Sequence, residues 1–253
     1  MSVAIAVAET PLVRFLLGRA DDALILGHRL SEWTGHAPIL EEELALANMG
    51  LDLIGQARAL YAMAAEAEGA AHDEDDYAYL RDEGQFRNLL IVERPRGDFA
   101  DTMLRQALYA IYAEMFWQAT SRSTHRELAA FAAKAAKEMA YHVRHAGAWV
   151  MRLGGGTAVS HARAQAALER LAPYLDEMFD GEDPSLAAIA PDVPALRKDW
   201  DSAARTLLGE AGLTLPDVPY PQRGGRVGRH GETLGHLLAM FQHLHRSHPG
   251  ATW

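Results

Sequence analysis

Residues 126–156 read RELAAFAAKAAKEMAYHVRHAGAWVMRLGGG, and this stretch decides the fold. On a wheel of about 100° per residue, Leu128, Phe131, Ala135, Trp149 and Leu153 mark one stripe. Glu138, His142 and His145 fall inside that stripe. Ser123 or Thr124 can cap the helix at its start, and the glycines at 154–156 stop it. A helix that carries an acid and two imidazoles on its apolar side either encloses a polar core or holds a metal.

The same period extends over most of the chain. A first helix spans Thr10 to Thr34, with Leu12, Phe15, Leu26, Leu30 and Trp33 at helical spacing, before Gly35 and Pro38 punctuate the chain. In the second, Leu40, Leu44, Ala47, Leu51 and Ile54 step by four, three, four and three, and the helix continues to about Glu68. Glu41, Glu42 and Glu43 occupy its first turn, where carboxylates favour the positive end of the helix dipole. Asp98 can cap a third helix to about Arg122, with Phe99, Met103, Ala107, Ala110 and Trp117 as its stripe. A fifth helix opens at Ser160 and runs to about Phe179, and a sixth runs from Pro194 to Gly212. The last runs over about 232–246, carrying Leu234, Leu237, Leu238, Phe241 and Leu244. Strand patterning is almost absent: LLIVE at 89–93 is a short β-branched run that equally suits the end of a helical turn.

The link between the second and third helices, residues 69–97, is long. A helix of about 28 residues measures roughly 42 Å, and a link of this length can travel that far even when partly coiled. Two hairpins joined by one long crossover is the ferritin-like arrangement of the four-helix bundle. The expected architecture is therefore all-α, one domain over 1–253. Its bundle core covers about 10–154, with further helices over about 158–212, an extended arm at 213–231 and the C-terminal helix. The arm holds Pro216, Pro219, Pro221 and four glycines, interleaved with Arg223, Arg226 and Arg229.

Composition narrows the chemistry. The chain has 253 residues, is 49% hydrophobic and carries a net charge of −10, a poor match for a phosphate backbone, so no nucleic-acid partner is expected. With no cysteine, disulfides, thiolate metal sites and a thiol nucleophile are excluded. MSVAIAVAET at 1–10 lacks a basic leader, and no apolar run is long enough to span a bilayer, so a cytoplasmic protein without a membrane partner is expected.

The middle of the expected bundle gathers polar groups: Glu114, Glu138 and His142, with Arg58 read as pointing inward and Asp22 within the first helix's stripe. Asn48 falls at the margin and Asp52 further out. Two readings compete. In one, these acids and His142 hold a di-iron or di-manganese centre, and the chain is a carboxylate-bridged di-metal oxidase active by itself. In the other, they form a metal-free core balanced by Arg58 or a protonated histidine, because unpaired buried charges cost several kcal/mol each. None of the twelve histidines has a Glu three positions before it. Glu32/His36, Glu138/His142 and Glu232/His236 are spaced by four, which shares a face but is not the Glu-x-x-His of ferritin-like di-metal sites. Spacing thus favours the metal-free core without closing the question.

Other signals are weaker. Gly154–Gly156 follow a helix and fail the context of a dinucleotide fingerprint. His236, His243, His245 and His248 read as surface histidines of an amphipathic helix. The Arg–Gly arm at 223–229 suits a phosphate or an acidic face, and equally suits packing along its own bundle. The third helix carries Tyr109, Tyr112, Met115 and Phe116 outside its stripe, so later helices, another subunit, or both must cover it.

Four blocks carry a resemblance: LGHRLSEWTGHAPILEEELALANMGLDLIGQARALY (26–61), RDEGQFRNLLIVERPRGDFADT (81–102), KAAKEMAYHVRHAGAWVMRLGGGT (134–157) and GRHGETLGHLLAMFQHLHRSHPGATW (228–253). In the same order and over nearly the whole chain, they resemble the C-subunit family of bacterial ring-1,2-phenylacetyl-CoA epoxidases, multicomponent monooxygenases of phenylacetate breakdown. The resemblance implies a ferritin-like, structural, non-catalytic subunit that supports a related catalytic A subunit, which holds the di-iron site. It also implies the B subunit as a further partner and no cofactor in this chain. The implied reaction inserts one oxygen atom of O2 across the ring of phenylacetyl-CoA. Electrons come from NADPH through a flavin and iron–sulfur reductase subunit. By the same resemblance, Gln85, Phe86, Arg87 and Asn88, and the loop at Leu186, Ala187 and Ala188, lie near the CoA moiety at a subunit boundary. For the first group, amides and a guanidinium also suit a pantetheine amide and a phosphate.

Overall fold

The computed structural model describes residues 4–251. Residues 1–3 of the opening stretch and 252–253 of the C-terminal block lie outside them. The described residues form eight α-helices with short 3-10 turns and no strand: α1 (Pro11–Ser31), α2 (Leu40–Glu68), α3 (Glu74–Tyr79), α4 (Phe99–Thr120), α5 (Arg126–Gly154), α6 (Ala158–Leu171), α7 (Arg197–Glu210) and α8 (Glu232–Ser247). Two hairpins of long helices, α1–α2 and α4–α5, joined by a crossover that contains α3, make the fold all-α and ferritin-like, with additional C-terminal helices.

Local chemistry sets the boundaries. Thr10 Oγ1 accepts from the Val13 amide at 3.3 Å, and Pro11 takes the first helical position, where its missing N–H costs nothing. Asp98 caps α4 reciprocally with Asp101. The α5 cap is His125 rather than Ser123 or Thr124: its Nδ1 accepts from the Leu128 amide, while Ser123 Oγ accepts from the His125 amide. Thr157 caps α6 before Ser160, and the helix ends at Leu171 instead of Phe179. Pro173 has no N–H and disfavours helical geometry in its predecessor, so the chain continues in 3-10 turns to Phe179. The LLIVE run forms turns, with Leu89, Leu90, Ile91 and Val92 buried.

The chain forms two compact units. The first comprises α1, α2, the crossover to Pro95, and everything described from Gly224 onward. Here α1 is buried nearly all round, and α2 packs on it through Leu46, Met49, Leu53, Leu60 and Met63. This overturns the expected orientation of α2. Its 4-3-4-3 stripe faces outward, with Leu40 69%, Leu44 58% and Leu51 68% exposed. The helix is apolar on two opposite faces, and the regular spacing belongs to the outer one. Within the same unit α8 fastens the crossover: Gln242 Nε2 donates to the carbonyls of Ala78 and Arg81, and Arg246 to those of Tyr79 and Arg81. His245 stacks on Tyr79 and His28 on Phe241, while His236 and His243 project on the outer side of the helix.

The second unit, residues 96–223, contains α4 to α7. α4 packs against α5, α6 and α7, which explains its apolar circumference: Tyr109, Tyr112 and Phe116 are all buried. Trp200 of α7 is fully buried, edge-on to Phe179, and its indole N–H donates to the Leu108 carbonyl at 3.0 Å. Replacing Trp200 with Phe should lower the unfolding free energy by about 1–3 kcal/mol, read as a lower urea midpoint at unchanged m-value, because one buried donor and part of the ring volume are lost.

Candidate functional site

Polar side chains enter the interior of both units. In the second, Gln106 of α4 and His142 of α5 are both fully buried. Gln106 Nε2 lies 3.0 Å from His142 Nδ1, to which the amide donates. Glu138, one turn earlier, pairs with Lys134 at 3.3 Å. Glu114 is half-buried and accepts from the Gln118 amide at 3.0 Å. Burial raises its carboxyl pKa, and the charge of Arg144 opposes that.

A ferritin-like di-metal centre needs four carboxylates and two histidines converging from facing helices. Among the described residues, no group of three or more His, Cys, Asp or Glu is arranged to hold a metal ion. Glu138 and Glu114 are engaged by Lys134 and Gln118, and the buried His142 by an amide, so these expected ligands do not fit the di-iron group.

The first unit holds a denser arrangement. Asp21 and Asp22 of α1 are buried side by side. Asp21 accepts from Tyr61 Oη at 2.5 Å, from both terminal nitrogens of Arg81, and from the Arg87 amide at 2.7 Å. Asp22 accepts from the Leu89 amide at 2.7 Å and from a bidentate Arg226 at 2.6 and 3.1 Å, with Arg19 at 3.8 Å. Burial pushes the Asp22 carboxyl up, against the pull of Arg226 and Arg19. Arg81 is completely buried. Its Nε donates to the Tyr77 carbonyl, and its guanidinium lies over the Phe86 ring at 4.3 Å.

A third buried carboxylate, Glu93, accepts from Asn88 Nδ2, from His230 Nδ1 at 2.8 Å and from the Gly231 amide at 2.7 Å. The other ring nitrogen of His230 faces the Phe86 carbonyl at 3.0 Å. With acceptors at both nitrogens, the ring is satisfied only as the imidazolium. Burial alone would lower its pKa, but the bonds to Glu93 and Phe86 and the charges of Glu93 and Asp21 hold it above the ordinary imidazole value. Backbone closeness completes the clasp. A Cβ on Gly225 would collide with the Asn88 carbonyl, and one on Gly228, at φ +74°, with that of Gly84.

These contacts assign places to the residues expected from sequence. Arg58 is the clear correction: its side chain is 76% exposed and pairs with Glu74 at 2.9 Å, because it lies on the outward stripe of α2. Asp22 is buried as its stripe position implied, whereas Asn48 is exposed. Gln85 bonds the Ile5 carbonyl, Phe86 underlies Arg81, Arg87 pairs with Glu9, and Asn88 bonds Glu93. Of the other loop, Leu186 is buried, while Ala187 and Ala188 are exposed. Leu186 and Ala187 line an open cleft of about 370 Å³ that also presents Glu182, Asp183 and Asp192. The Arg–Gly arm packs on its own unit through Arg226, which also bonds the Gly18 and Arg87 carbonyls. Sequence reading missed Arg81, Asp21, Glu93 and His230. For Arg81 and Glu93 the local trace is a string of polar residues among apolar ones in 81–93; Asp21 and His230 leave none there.

Comparison with known proteins places the chain. The model of a family described as phenylacetic acid catabolic protein matches residues 2–253. Over 246 residues the chain is 43% identical to the C subunit of the 1,2-phenylacetyl-CoA epoxidase of Escherichia coli (strain K12), an alignment covering 96% of this chain and 99% of that protein. No helix among the described residues is long and apolar enough to cross a membrane.

Two measurements test the network. Arg81→Met leaves Asp21 buried beside its remaining donors without a countercharge, and should cost about 3–5 kcal/mol in urea unfolding. His230→Gln should cost about 1.5–3 kcal/mol at pH 6. Because the folded-state pKa of His230 is raised, its contribution is fully present below about pH 6.5 and fades as pH rises through the folded value. The difference in Tm between wild type and His230→Gln should therefore narrow from pH 6 to pH 9, and a difference constant over that range would contradict the imidazolium assignment.

Proposed function

The chain belongs to the phenylacetic acid catabolic protein family, and we propose that it serves as a structural, non-catalytic subunit of a cytoplasmic oxygenase that epoxidises the ring of phenylacetyl-CoA. In this reading a related catalytic subunit holds the di-iron centre, a reductase delivers electrons from NADPH, and this chain completes the assembly. The relative named above is a subunit of an epoxidase by its own name, which supports membership of a multi-subunit enzyme.

The observation that carries the non-catalytic role is the engagement of the buried acids. Asp21, Asp22 and Glu93 accept from guanidinium, imidazolium and backbone amides, and His142 accepts from an amide. A carboxylate with its acceptor sites filled by cations and N–H groups is a poor ligand for a divalent ion, which would have to displace them at a cost of several kcal/mol. Glu114, raised in pKa and only half-buried, is held by the Gln118 amide and belongs to no cluster of metal-ligating side chains among the described residues.

Elemental analysis of the purified chain should give iron well below one atom per chain, and incubation with phenylacetyl-CoA, O2 and the reductase should give no epoxide until the catalytic subunit is added. Iron near two per chain together with turnover by this chain alone would reject the proposal in favour of a self-sufficient di-metal oxidase.

A further inference from the structure

The outer face of α5 has the opposite charge to the rest of the chain. Acids outnumber bases 34 to 24, for a net charge of −10. Yet Arg126, Lys134, Lys137, Arg144 and Arg152 are all exposed on α5, and Glu127 is the one exposed acid of that helix. At about 100° per residue these cations and Tyr141 share an arc of roughly 80°, about 39 Å from end to end. Elsewhere Arg58, Arg163, Arg170, Arg197 and Arg223 each pair with an acid. On α5, among the described residues, only Lys134 has such a partner, Glu138 at 3.3 Å. Arg144 acts on Glu114 through its charge alone, and Arg152 lies over the Trp149 ring at 5.1 Å.

The helix itself gains little from this arrangement. Arg126 stands in the first turn, where a cation opposes the dipole, and Lys134 and Lys137, three residues apart, repel each other. Arg152 alone suits its place, in the last turn. Spacing gives the shape of what would satisfy the stripe. Lys137, Arg144 and Arg152 follow one another by seven and eight residues, two turns each, or about 10–12 Å. A small anion reaches one or two of them, whereas acids at the same interval along another helix reach them all. Ala130, Ala133 and Ala148 are the exposed residues between the cations, so a second helix can come close to the backbone. Tyr141, 40% exposed at the middle, adds the aromatic that is enriched with Arg at protein interfaces.

We propose that the outer face of α5 is a docking surface for an acidic helix of another polypeptide, laid along its length. A second copy presenting the same face would set cation against cation, so the partner is a different chain. That partner is a subunit of the oxygenase, and to this extent the inference rests on the function proposed above. Charges arranged in this way speed association and fix its register, and they make binding depend on salt.

The test is the affinity of the full-length chain for the purified catalytic subunit, B subunit and reductase in turn. Lys137→Glu/Arg144→Glu should weaken binding to one of them at least about tenfold at low salt, and raising the salt should weaken wild type in the same way. Lys198→Glu/Arg205→Glu makes an equal change of net charge at two exposed cations of α7, and should bind within about twofold of wild type. Both variants should keep the wild-type Tm, since every substitution is on the surface. A subunit that binds wild type and the α5 variant equally, with no other subunit telling them apart, would overturn the proposal and leave the assembly standing. An equal loss through the α7 pair would overturn it too, as would binding of duplex DNA through the α5 cations with no subunit bound. Failure of all three subunits to bind wild type would overturn both the docking surface and the function on which it rests.

Discussion

Two adjacent carboxylates on the buried side of α1 constrain everything around them in the first unit. An ionised acid taken out of water costs several kcal/mol unless cations and donors surround it. None of the strongest partners of Asp21 and Asp22 is local. Arg81 lies 60 residues beyond Asp21 and Arg226 lies 204 beyond Asp22, and the amides of Arg87 and Leu89 come from the crossover between them. The acids of α1 can be buried only when the crossover and the C-terminal arm are in place. Glu93 and His230 repeat the principle, tying the same two segments to each other.

The chemistry of the counterions matters as much as their charge. Arg81 reaches the Asp21 carboxylate, the Tyr77 carbonyl and the Gln85 carbonyl at once, and lays its plane on Phe86. Arg226 likewise serves Asp22 through two nitrogens while binding two backbone carbonyls. A guanidinium can do this because its donors form a rigid planar fork; an ammonium offers one point. The irregular segments 81–93 and 224–231 thus acquire fixed geometry without forming long helices of their own.

How much of this the sequence discloses follows from the range of each interaction. Helix identities are readable because their periods are local, and so are caps such as Asp98. The end of α6 at Leu171 is written in Pro173, although the apolar run continues past it. The notion of buried acids balanced by a guanidinium is readable in kind from Asp22, but not in its partners. Arg81 sits where there is no period to place on a wheel, and a pairing across 60 or 204 residues leaves no spacing signal. Arg58 is open to misreading for a different reason: α2 has two apolar faces, and the more regular one is the wrong one.

What chooses between those faces is the buried polar network. By apolar content, Leu40, Leu44 and Leu51 could serve as core as well as Leu46, Leu53 and Leu60. Hydrophobic burial is non-directional and separates the two choices weakly. Tyr61 separates them strongly, since its hydroxyl reaches Asp21 only in the observed rotation of the helix. Rotating α2 by half a turn would bring Arg58 inside without Glu74, and would leave Asp21 short of a donor in a site closed to water. A buried acceptor left without its donor and a guanidinium taken from its acid each carry a cost that adds to the choice made by apolar packing. The hydrogen bond of Tyr61 to Asp21 thus acts together with the inner apolar residues to set which side of a two-faced helix becomes core, and leaves the other side outward.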